Sequence, residues 1–200
     1  MLISLIGALR LRPGRTEQLI RLIVVGTVPV VIVGLLFGDV LESLRDPRIV
    51  AITLAAGGLG LLIAERLGTH SRDEDTITYT EAVAIGLAQS AALIPGISRS
   101  GATLTVALLF GLKRPGAARF VFLLSLPAVV AAAAKEALDV ERMGATDLSA
   151  LVFLGGLVVS AIVGYLTIKY FLRYLARHSL TVFAIYRFAL AAVTVVWLFT

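Results

Sequence analysis

Apolar blocks, each about the length of a membrane-spanning helix, alternate with short polar and charged segments along the chain. A helix rises about 1.5 Å per residue, so about 20 apolar residues cross the hydrocarbon core of a bilayer. Spans are predicted at 19–37, 49–64, 117–134, 148–168 and 181–199. The pattern therefore predicts an all-α polytopic membrane helix bundle that forms a single domain over residues 1–200.

A further apolar stretch, 80–112, is broken near its middle by turn-forming and polar residues. Its arms, 81–94 and 100–112, would each reach only about 20 Å as helices, which is too short to cross. The breaking residues are Pro95, Gly96, Ser98, Arg99, Ser100 and Gly101. We therefore predict a re-entrant helix–loop–helix that enters and leaves by the same face and forms half of an inverted repeat.

The composition supports a membrane environment. Hydrophobic residues make up 58% of the chain and charged residues 16%, whereas soluble domains are about half apolar and a quarter charged. This balance excludes a soluble enzyme, a disordered chain and a nucleic-acid binder, despite the net charge of +5. The absence of cysteine excludes a disulfide scaffold, a thiolate metal site and a cysteine nucleophile.

The basic residues collect on one side of the predicted bundle. With the N-terminal segment inside, thirteen Lys and Arg fall inside, four fall outside and Arg99 remains, which together account for all 18. The inside set is Arg10, Arg12, Arg15, Arg21, Arg66, Arg72, Lys113, Arg114, Arg119, Lys169, Arg173, Arg177 and Arg187; the outside set is Arg45, Arg48, Lys135 and Arg142. Because short cytoplasmic loops are rich in Lys and Arg, we expect the C-terminus to lie outside.

The break in 80–112 carries a candidate anion site. An arginine inside an apolar stretch costs several kcal/mol unless it faces protein or water, so Arg99 is a functional candidate. Pro95 is expected to end the first arm and Ser100 to cap the second. The first N–H groups of the second arm, the positive end of its dipole and the guanidinium would face one place, which suits a phosphate.

Neighbouring residues could complete this site. Two glycines would let the backbone approach a ligand closely, hydroxyl groups would add donors, and an amide on the first arm would reach the same cavity. These candidates are Gly96, Gly101, Ser98, Ser100, Thr103 and Gln89.

Structural interpretations stay open beside these functional ones. The break could be a packing corner whose arginine reaches an interface, and Gln89 could bridge to a neighbouring helix. The charged run 65–75 is predicted to be solvated, and Pro29 and Pro127 are predicted to kink their helices.

Two motifs carry a resemblance to a known family. Residues 85–103 read IGLAQSAALIPGISRSGAT and residues 118–128 read ARFVFLLSLPA. At this spacing they resemble the signature of the bacterial undecaprenyl-diphosphate phosphatases of the BacA/UppP family, and the similarity runs from about Arg15 to the C-terminus.

The resemblance implies a hydrolase of the bacterial plasma membrane. It would convert undecaprenyl diphosphate to undecaprenyl phosphate and phosphate, which recycles the lipid carrier for peptidoglycan synthesis and gives bacitracin resistance. By resemblance the catalytic residues are Arg99, Ser98 and Ser100, and the substrate-binding residues are Gly96, Gly101, Thr103 and Gln89. The arginine would hold the diphosphate and stabilise charge on the transferred phosphoryl group.

The chain also departs from the family pattern. Members carry an earlier re-entrant segment with a Glu-containing helix and a Pro-x-Ser-Ser-x-Gly-His motif, which supplies acidic residues, a serine and a histidine; this sequence has no match to it. Met1–Leu9 is too short to cross and lacks the features of a signal peptide. We expect an N-terminally truncated chain whose nucleophile and acid/base group have no counterpart here.

The partners and the rival function follow from the same reading. A polyprenyl diphosphate lipid and the bilayer are the expected partners, nucleic acid is not, and a homodimer is an alternative. No cofactor or metal site is identified, although a divalent cation such as Mg²⁺ or Ca²⁺ stays open. The alternative function is a non-catalytic membrane binder or transporter of a lipid phosphate or another anion.

Overall fold

The computed structural model describes residues 14–142 and 150–199. These residues form five long helices and two shorter ones. The shorter helices lie between the second and third long helices, after a 3₁₀ turn at Glu74–Thr76, and no strand forms within the described ranges. The long helices are apolar enough to cross a membrane, so the predicted all-α polytopic bundle is confirmed. In chain order the helices are α1 (Arg15–Ser43), α2 (Pro47–Leu67), α3 (Tyr79–Ala91), α4 (Arg99–Leu109), α5 (Arg114–Arg142), α6 (Ala150–Leu175) and α7 (Thr181–Leu198).

The spanning helices extend beyond the apolar blocks from which they were predicted. The block 19–37 becomes a helix that continues to Ser43, and the block 117–134 lies inside the longer α5. Helical backbone hydrogen bonds continue into the polar ends because every backbone group must still be paired near the bilayer. Met1–Leu9 and the first two residues of the block 148–168 lie outside the described residues.

The stretch between α2 and α5 leaves the bundle where it enters. The N–H groups of Ser71 and Arg72 each donate to the carbonyl of Gly111 at 2.9 Å, and the N–H of Lys113 donates to the carbonyl of Arg72 at 2.7 Å. These bonds pair the segment before α3 with the segment after α4. The two helices therefore form a re-entrant hairpin whose ends lie side by side.

Side chains reinforce the base of the hairpin. Arg72 Nη1 donates to Glu81 Oε1 at 2.6 Å and to the carbonyl of Phe110 at 2.9 Å. Glu81 also accepts from the N–H of Thr78 at 2.8 Å, while the Thr78 hydroxyl accepts from the N–H of Glu81 at 3.3 Å, which is a capping box for α3. The bond from Arg72 lowers the pKa of Glu81, and the same bond raises the pKa of Arg72.

The charged run at this base is less solvated than the sequence suggested. Its residues form ion pairs with the starts of α1 and α5 in addition to the Arg72–Glu81 pair. These pairs are Glu65–Arg114, Asp73–Lys113, Glu74–Arg119 and Asp75–Arg15. They tie the loop to the ends of the spanning helices, so the run acts as a brace for the hairpin.

The packed core lies around the hairpin and toward its base. Helix α3 packs against α1, and α4 packs against α2 and α5. The backbones of α1 and α3 touch at Gly26 and Gly86, where a side chain on Gly86 would overlap the backbone of Gly26. Core side chains such as Leu61, Ile85 and Phe120 are buried. The core therefore holds the hairpin between α1, α2 and α5.

Candidate functional site

A tight turn forms the hairpin tip between α3 and α4. Helix α3 ends at Ala91, whose carbonyl accepts from the N–H of Ile94 at 3.1 Å, and the N–H of Ile97 donates to the carbonyl of Ile94 at 3.2 Å. Gly96 has a φ of +87°, a region that glycine adopts without strain. The first arm thus ends earlier than predicted, before Pro95 is reached.

Ser98, and not Ser100, caps the second arm. The Ser98 hydroxyl accepts from the N–H of Gly101 at 3.1 Å, which satisfies one of the first helical donors of α4. The expected capping role of Ser100 is therefore wrong, because the helix begins one residue earlier than predicted and Arg99 is its first residue. The Ser98 and Ser100 hydroxyl oxygens lie 3.3 Å apart.

A cavity of about 820 Å³ opens beside the tip. Hairpin residues form one wall, and apolar residues of α1 and α5 form the others. Its polar lining residues are Gln89, Arg99, Lys135 and Glu136. The cavity therefore combines a polar end at the hairpin with apolar walls.

Gln89 is the buried polar group of this cavity. Its side chain is 1% exposed, and neither its Nε2 nor its Oε1 has a hydrogen-bond partner in the described part of the chain. A buried amide without partners costs about 1–3 kcal/mol relative to a satisfied one. This is the pattern expected of a group whose partner is a ligand.

Arg99 supplies positive charge at the same cavity. It is exposed, lines the cavity with Gln89 and starts α4. No carboxylate in residues 14–142 or 150–199 forms an ion pair with it. The N–H groups of the first turn and the positive end of the α4 dipole add to its charge, so the arrangement favours an anion.

The other predicted site residues occupy different surroundings. Thr103 is fully buried, and its hydroxyl donates to the carbonyl of Arg99 at 2.7 Å, so it stabilises the first turn of α4. Gly96 presses against α2, where a side chain would overlap the Thr53 hydroxyl. Gly101 lies against Ser98 within the first turn. The structure therefore brings Gln89 and Arg99 together at the cavity and places the two glycines and Thr103 in the supporting turn.

Groups that could activate a nucleophile are not bonded to the serines. Among the described residues, no histidine or carboxylate hydrogen-bonds to the hydroxyl of Ser98 or Ser100. Nor does any group of three or more His, Asp or Glu in that part of the chain lie in a position to hold a metal ion. The arrangement has the donors and the positive charge that an anion requires, and among the described residues no base is bonded to either serine.

Sequence reasoning overlooked three residues near this site. Lys135 and Glu136 line the cavity from α5, although Lys135 was counted only as an outside loop cation. Arg187 was counted with the inside loops, but it is buried within α7 and bonds to the hairpin tip. A signal was present, since Arg187 lies within the predicted span 181–199 and an ionisable residue there is a functional candidate.

Comparison with known proteins finds similar sequences over most of the chain. A family profile described as bacitracin resistance protein BacA matches residues 3–193. The chain is 49% identical over 88% of its length to an undecaprenyl-diphosphatase of Rubrobacter xylanophilus, and this match spans 65% of that relative.

Further curated relatives are similar in extent. An undecaprenyl-diphosphatase of Moorella thermoacetica is 39% identical over 99% of this chain and 74% of its own length. Undecaprenyl-diphosphatase 2 of Stutzerimonas stutzeri is 45% identical over 87% of this chain and 66% of its own length. The chain thus spans about two thirds of the length of the curated relatives it matches. With its five apolar helices and a profile match over nearly its whole length, this multi-pass membrane protein belongs to the bacitracin resistance protein BacA family.

Proposed function

We propose that the chain binds undecaprenyl diphosphate and contributes the phosphate-binding part of an undecaprenyl-diphosphate phosphatase. The main evidence is a cavity lined by both residues: the amide of Gln89, which has no hydrogen-bond partner among the described residues, and the guanidinium of Arg99. The names of the relatives support the choice of substrate. The products would be undecaprenyl phosphate and inorganic phosphate, which recycles the carrier lipid for peptidoglycan synthesis.

The shape of the cavity supports an amphiphilic substrate. Its volume lies in the range of about 300–1,000 Å³ that is usual for small-molecule sites. The diphosphate would lie at the hairpin end, near Arg99 and Gln89. The polyprenyl chain would lie along apolar side chains of α1 such as Val30 and Leu35, and Leu35 is 81% exposed toward the lipid.

The hairpin would act on the phosphoryl group mainly through charge. In phosphoryl transfer a nucleophile adds in line to the terminal phosphorus while the bond from that phosphorus to the bridging oxygen breaks. Undecaprenyl phosphate leaves with the bridging oxygen, and negative charge spreads over the equatorial oxygens. Arg99 and the first N–H groups of α4 would hold these oxygens, while Gln89 would donate from Nε2. A base would have to remove the proton from the nucleophile. No such base is among the described hydrogen-bond partners of Ser98 and Ser100.

The missing base also favours the alternative function, a non-catalytic binder or transporter of a lipid phosphate. The described contacts of the hairpin satisfy the requirements of anion binding but not those of nucleophile activation. Binding and phosphate release must therefore be measured on the same sample. Binding without release from a chain supplied with the remaining part of a relative would favour the alternative.

A divalent cation is a separate proposal. A diphosphate itself offers oxygen ligands to Mg²⁺ or Ca²⁺, and Glu136 at the cavity would provide a carboxylate. Chelation by EDTA, followed by readdition of each ion, tests this proposal through substrate affinity. Unchanged affinity throughout would contradict it.

The orientation in the membrane is proposed from the charges. The base of the hairpin, where the basic ends of α1 and α5 meet, would face the cytoplasm, and the C-terminus would lie outside. Single cysteines at Ser71 and Lys113 should then be labelled only from the cytoplasmic face, and one at Arg48 only from the outside. Labelling of Ser71→Cys and Lys113→Cys from opposite faces would refute the re-entrant arrangement.

The central test measures binding of undecaprenyl diphosphate to the detergent-solubilised chain. Arg99→Ala should raise the Kd about thirtyfold or more, since a charge-assisted contact contributes about 2–3 kcal/mol. Arg99→Lys should be nearly as damaging, because an ammonium cannot make the planar two-point contact of a guanidinium. Arg177→Ala, which removes an exposed charge at the end of α6, should leave the Kd unchanged. Equal affinity of Arg99→Ala and the unaltered chain would exclude the proposed site.

A further inference from the structure

Arg187 is a buried cation within a membrane-spanning helix. Its side chain lies in α7 and the residue is 7% exposed. No carboxylate in the described ranges forms an ion pair with it. A charge held inside a membrane protein is costly unless its surroundings satisfy it, so the partners of this guanidinium are informative.

Those partners are three backbone carbonyls. Nε donates to the carbonyl of Leu54 at 3.3 Å, and Nη2 donates to the carbonyls of Thr53 at 3.2 Å and Gly96 at 3.1 Å. Thr53 and Leu54 belong to α2, whereas Gly96 is in the hairpin tip. One guanidinium therefore joins three elements, α7, α2 and the tip.

The surroundings are shaped for this contact. Gly57 of α2 leaves the space that the guanidinium occupies, since a side chain there would overlap Nη2. A second hydrogen bond attaches the hairpin tip to α2: the Thr53 hydroxyl donates to the carbonyl of Pro95 at 2.7 Å. The tip is thus fixed to α2 at two consecutive residues, Pro95 and Gly96, just before Ser98 and Arg99.

The positive charge also faces the start of α4. Nη1 of Arg187 lies 3.8 Å from the position that a Cβ on Gly101 would occupy, and the Ser98 hydroxyl oxygen lies 3.3 Å from that position. Among the described side chains no carboxylate forms an ion pair with this charge, which has the same sign as the α4 dipole end and Arg99. It therefore raises the positive potential in the first turn of α4, which favours an anion there.

We infer that Arg187 is a positioning residue of the anion site, which clamps the hairpin tip to α2 through Gly96 and adds an uncompensated positive charge behind the first turn of α4. The inference builds on the function proposed above, since it concerns the same site. Its test, however, measures geometry and potential at the tip without substrate, so it can fail or succeed independently of hydrolysis.

The test uses a single reporter cysteine in membranes that contain the chain. The sequence has no cysteine, and Ile97 is a half-buried residue of the tip that lines the cavity. Ile97→Cys is modified with an anionic and a cationic methanethiosulfonate reagent of similar size. The ratio of the two rates reports the local potential, and the rates themselves report the accessibility of the tip.

Arg187→Gln in this background should lower the anionic-to-cationic ratio about fourfold or more. Even at the dielectric constant of water, a unit charge about 8 Å from the reporter thiol changes the rate of each reagent about twofold. The change has opposite directions for the anionic and the cationic reagent. Arg187→Lys should keep the ratio within about twofold but raise both rates severalfold, because the single nitrogen of an ammonium cannot occupy both the Nε and the Nη2 positions from which the carbonyls are held. Thr53→Val should also raise both rates at an unchanged ratio.

Arg177→Gln is the matched control, because it removes an exposed arginine at the far end of α6. A ratio for Arg187→Gln equal to that of this control would overturn the electrostatic part of the inference. Unchanged rates in Arg187→Lys would overturn the clamp. If Arg187→Gln fails to accumulate in the membrane, Arg187→Lys and Thr53→Val still decide the clamp, and unchanged rates in both would reject the inference.

Discussion

At the scale of single residues, substitution of Gln89 should change ligand binding and folding stability in different ways. Its buried amide has no partner in the described part of the chain, so Gln89→Met should leave the free energy of unfolding equal or higher by about 1 kcal/mol. The same change should weaken binding of undecaprenyl diphosphate about five- to thirtyfold, because one hydrogen bond to a charged ligand is lost. Thermal unfolding in detergent, with and without the lipid, measures both quantities.

Ser90→Ala is the control for this prediction. Ser90 is the next residue of α3, is equally buried, and donates to the carbonyl of Gly86 at 3.2 Å within its own helix. Its removal should change stability slightly and binding not at all. If Gln89→Met unfolds more easily while binding is unchanged, the amide has a structural partner and no ligand role.

The residue-level signal available in the sequence is a polar group that interrupts an apolar stretch. Gln89 and Arg99 were found in this way, and both line the cavity. Ser98 and Ser100 were not distinguished as caps, because both are serines near the same boundary and a shift of two residues in the helix start decides between them. The count of loop charges placed Arg187 on the inside. Such a count cannot show that its guanidinium reaches carbonyls distant in sequence.

At the scale of helices, the hairpin depends on the contact between Arg72 and Glu81. The pKa of Glu81 is lowered below its ordinary value of 4.5, chiefly by the hydrogen bond from Arg72. A lowered carboxyl pKa contributes stability that is complete above the ordinary value and is lost as the pH falls through the folded value. The hairpin base should therefore be weakened by acid below about pH 4.5 and not by mild alkali.

The measurement compares the unaltered chain with Glu81→Gln across this range. At pH 7 the unaltered chain should be more stable by about 1–2 kcal/mol, between the values for exposed and buried pairs. The difference should shrink as the pH falls below about 4.5 and Glu81 takes up a proton. Glu17→Gln, which removes a carboxylate from an exposed pair with Arg21, should show little difference at any pH. A constant difference for Glu81→Gln would mean that charge is not its cause.

The helices themselves were predictable from apolar length, but their ends were not. The hairpin arms were expected at 81–94 and 100–112, and the helices lie at Tyr79–Ala91 and Arg99–Leu109. The first arm starts earlier because Thr78 and Glu81 form a capping box, a local polar signal that hydrophobic length does not report. It also ends earlier, because the chain must turn before Pro95 can bind Thr53 of α2.

At the scale of the whole molecule, the proposed anion site predicts that binding and catalysis depend on different parts of the fold. The hairpin supplies donors and positive potential, which favour binding, but phosphoryl transfer also needs a positioned nucleophile and a proton acceptor. No such acceptor bonds to Ser98 or Ser100 among the described residues. We therefore expect this chain alone to bind undecaprenyl diphosphate weakly and to release phosphate slowly or not at all.

The decisive comparison supplies the remaining part of a relative. The chain spans 65% of the undecaprenyl-diphosphatase of Rubrobacter xylanophilus, and co-expression with the unmatched third of that protein should raise phosphate release by at least about 100-fold, the usual contribution of a general base. Arg99→Ala in the combined sample should abolish the gain, because the phosphoryl group would lose its charge partner. If the chain alone released phosphate as fast as the combined sample, all the catalytic groups would lie within this chain. Ser98 and Ser100 would then be the candidate nucleophiles to test by substitution.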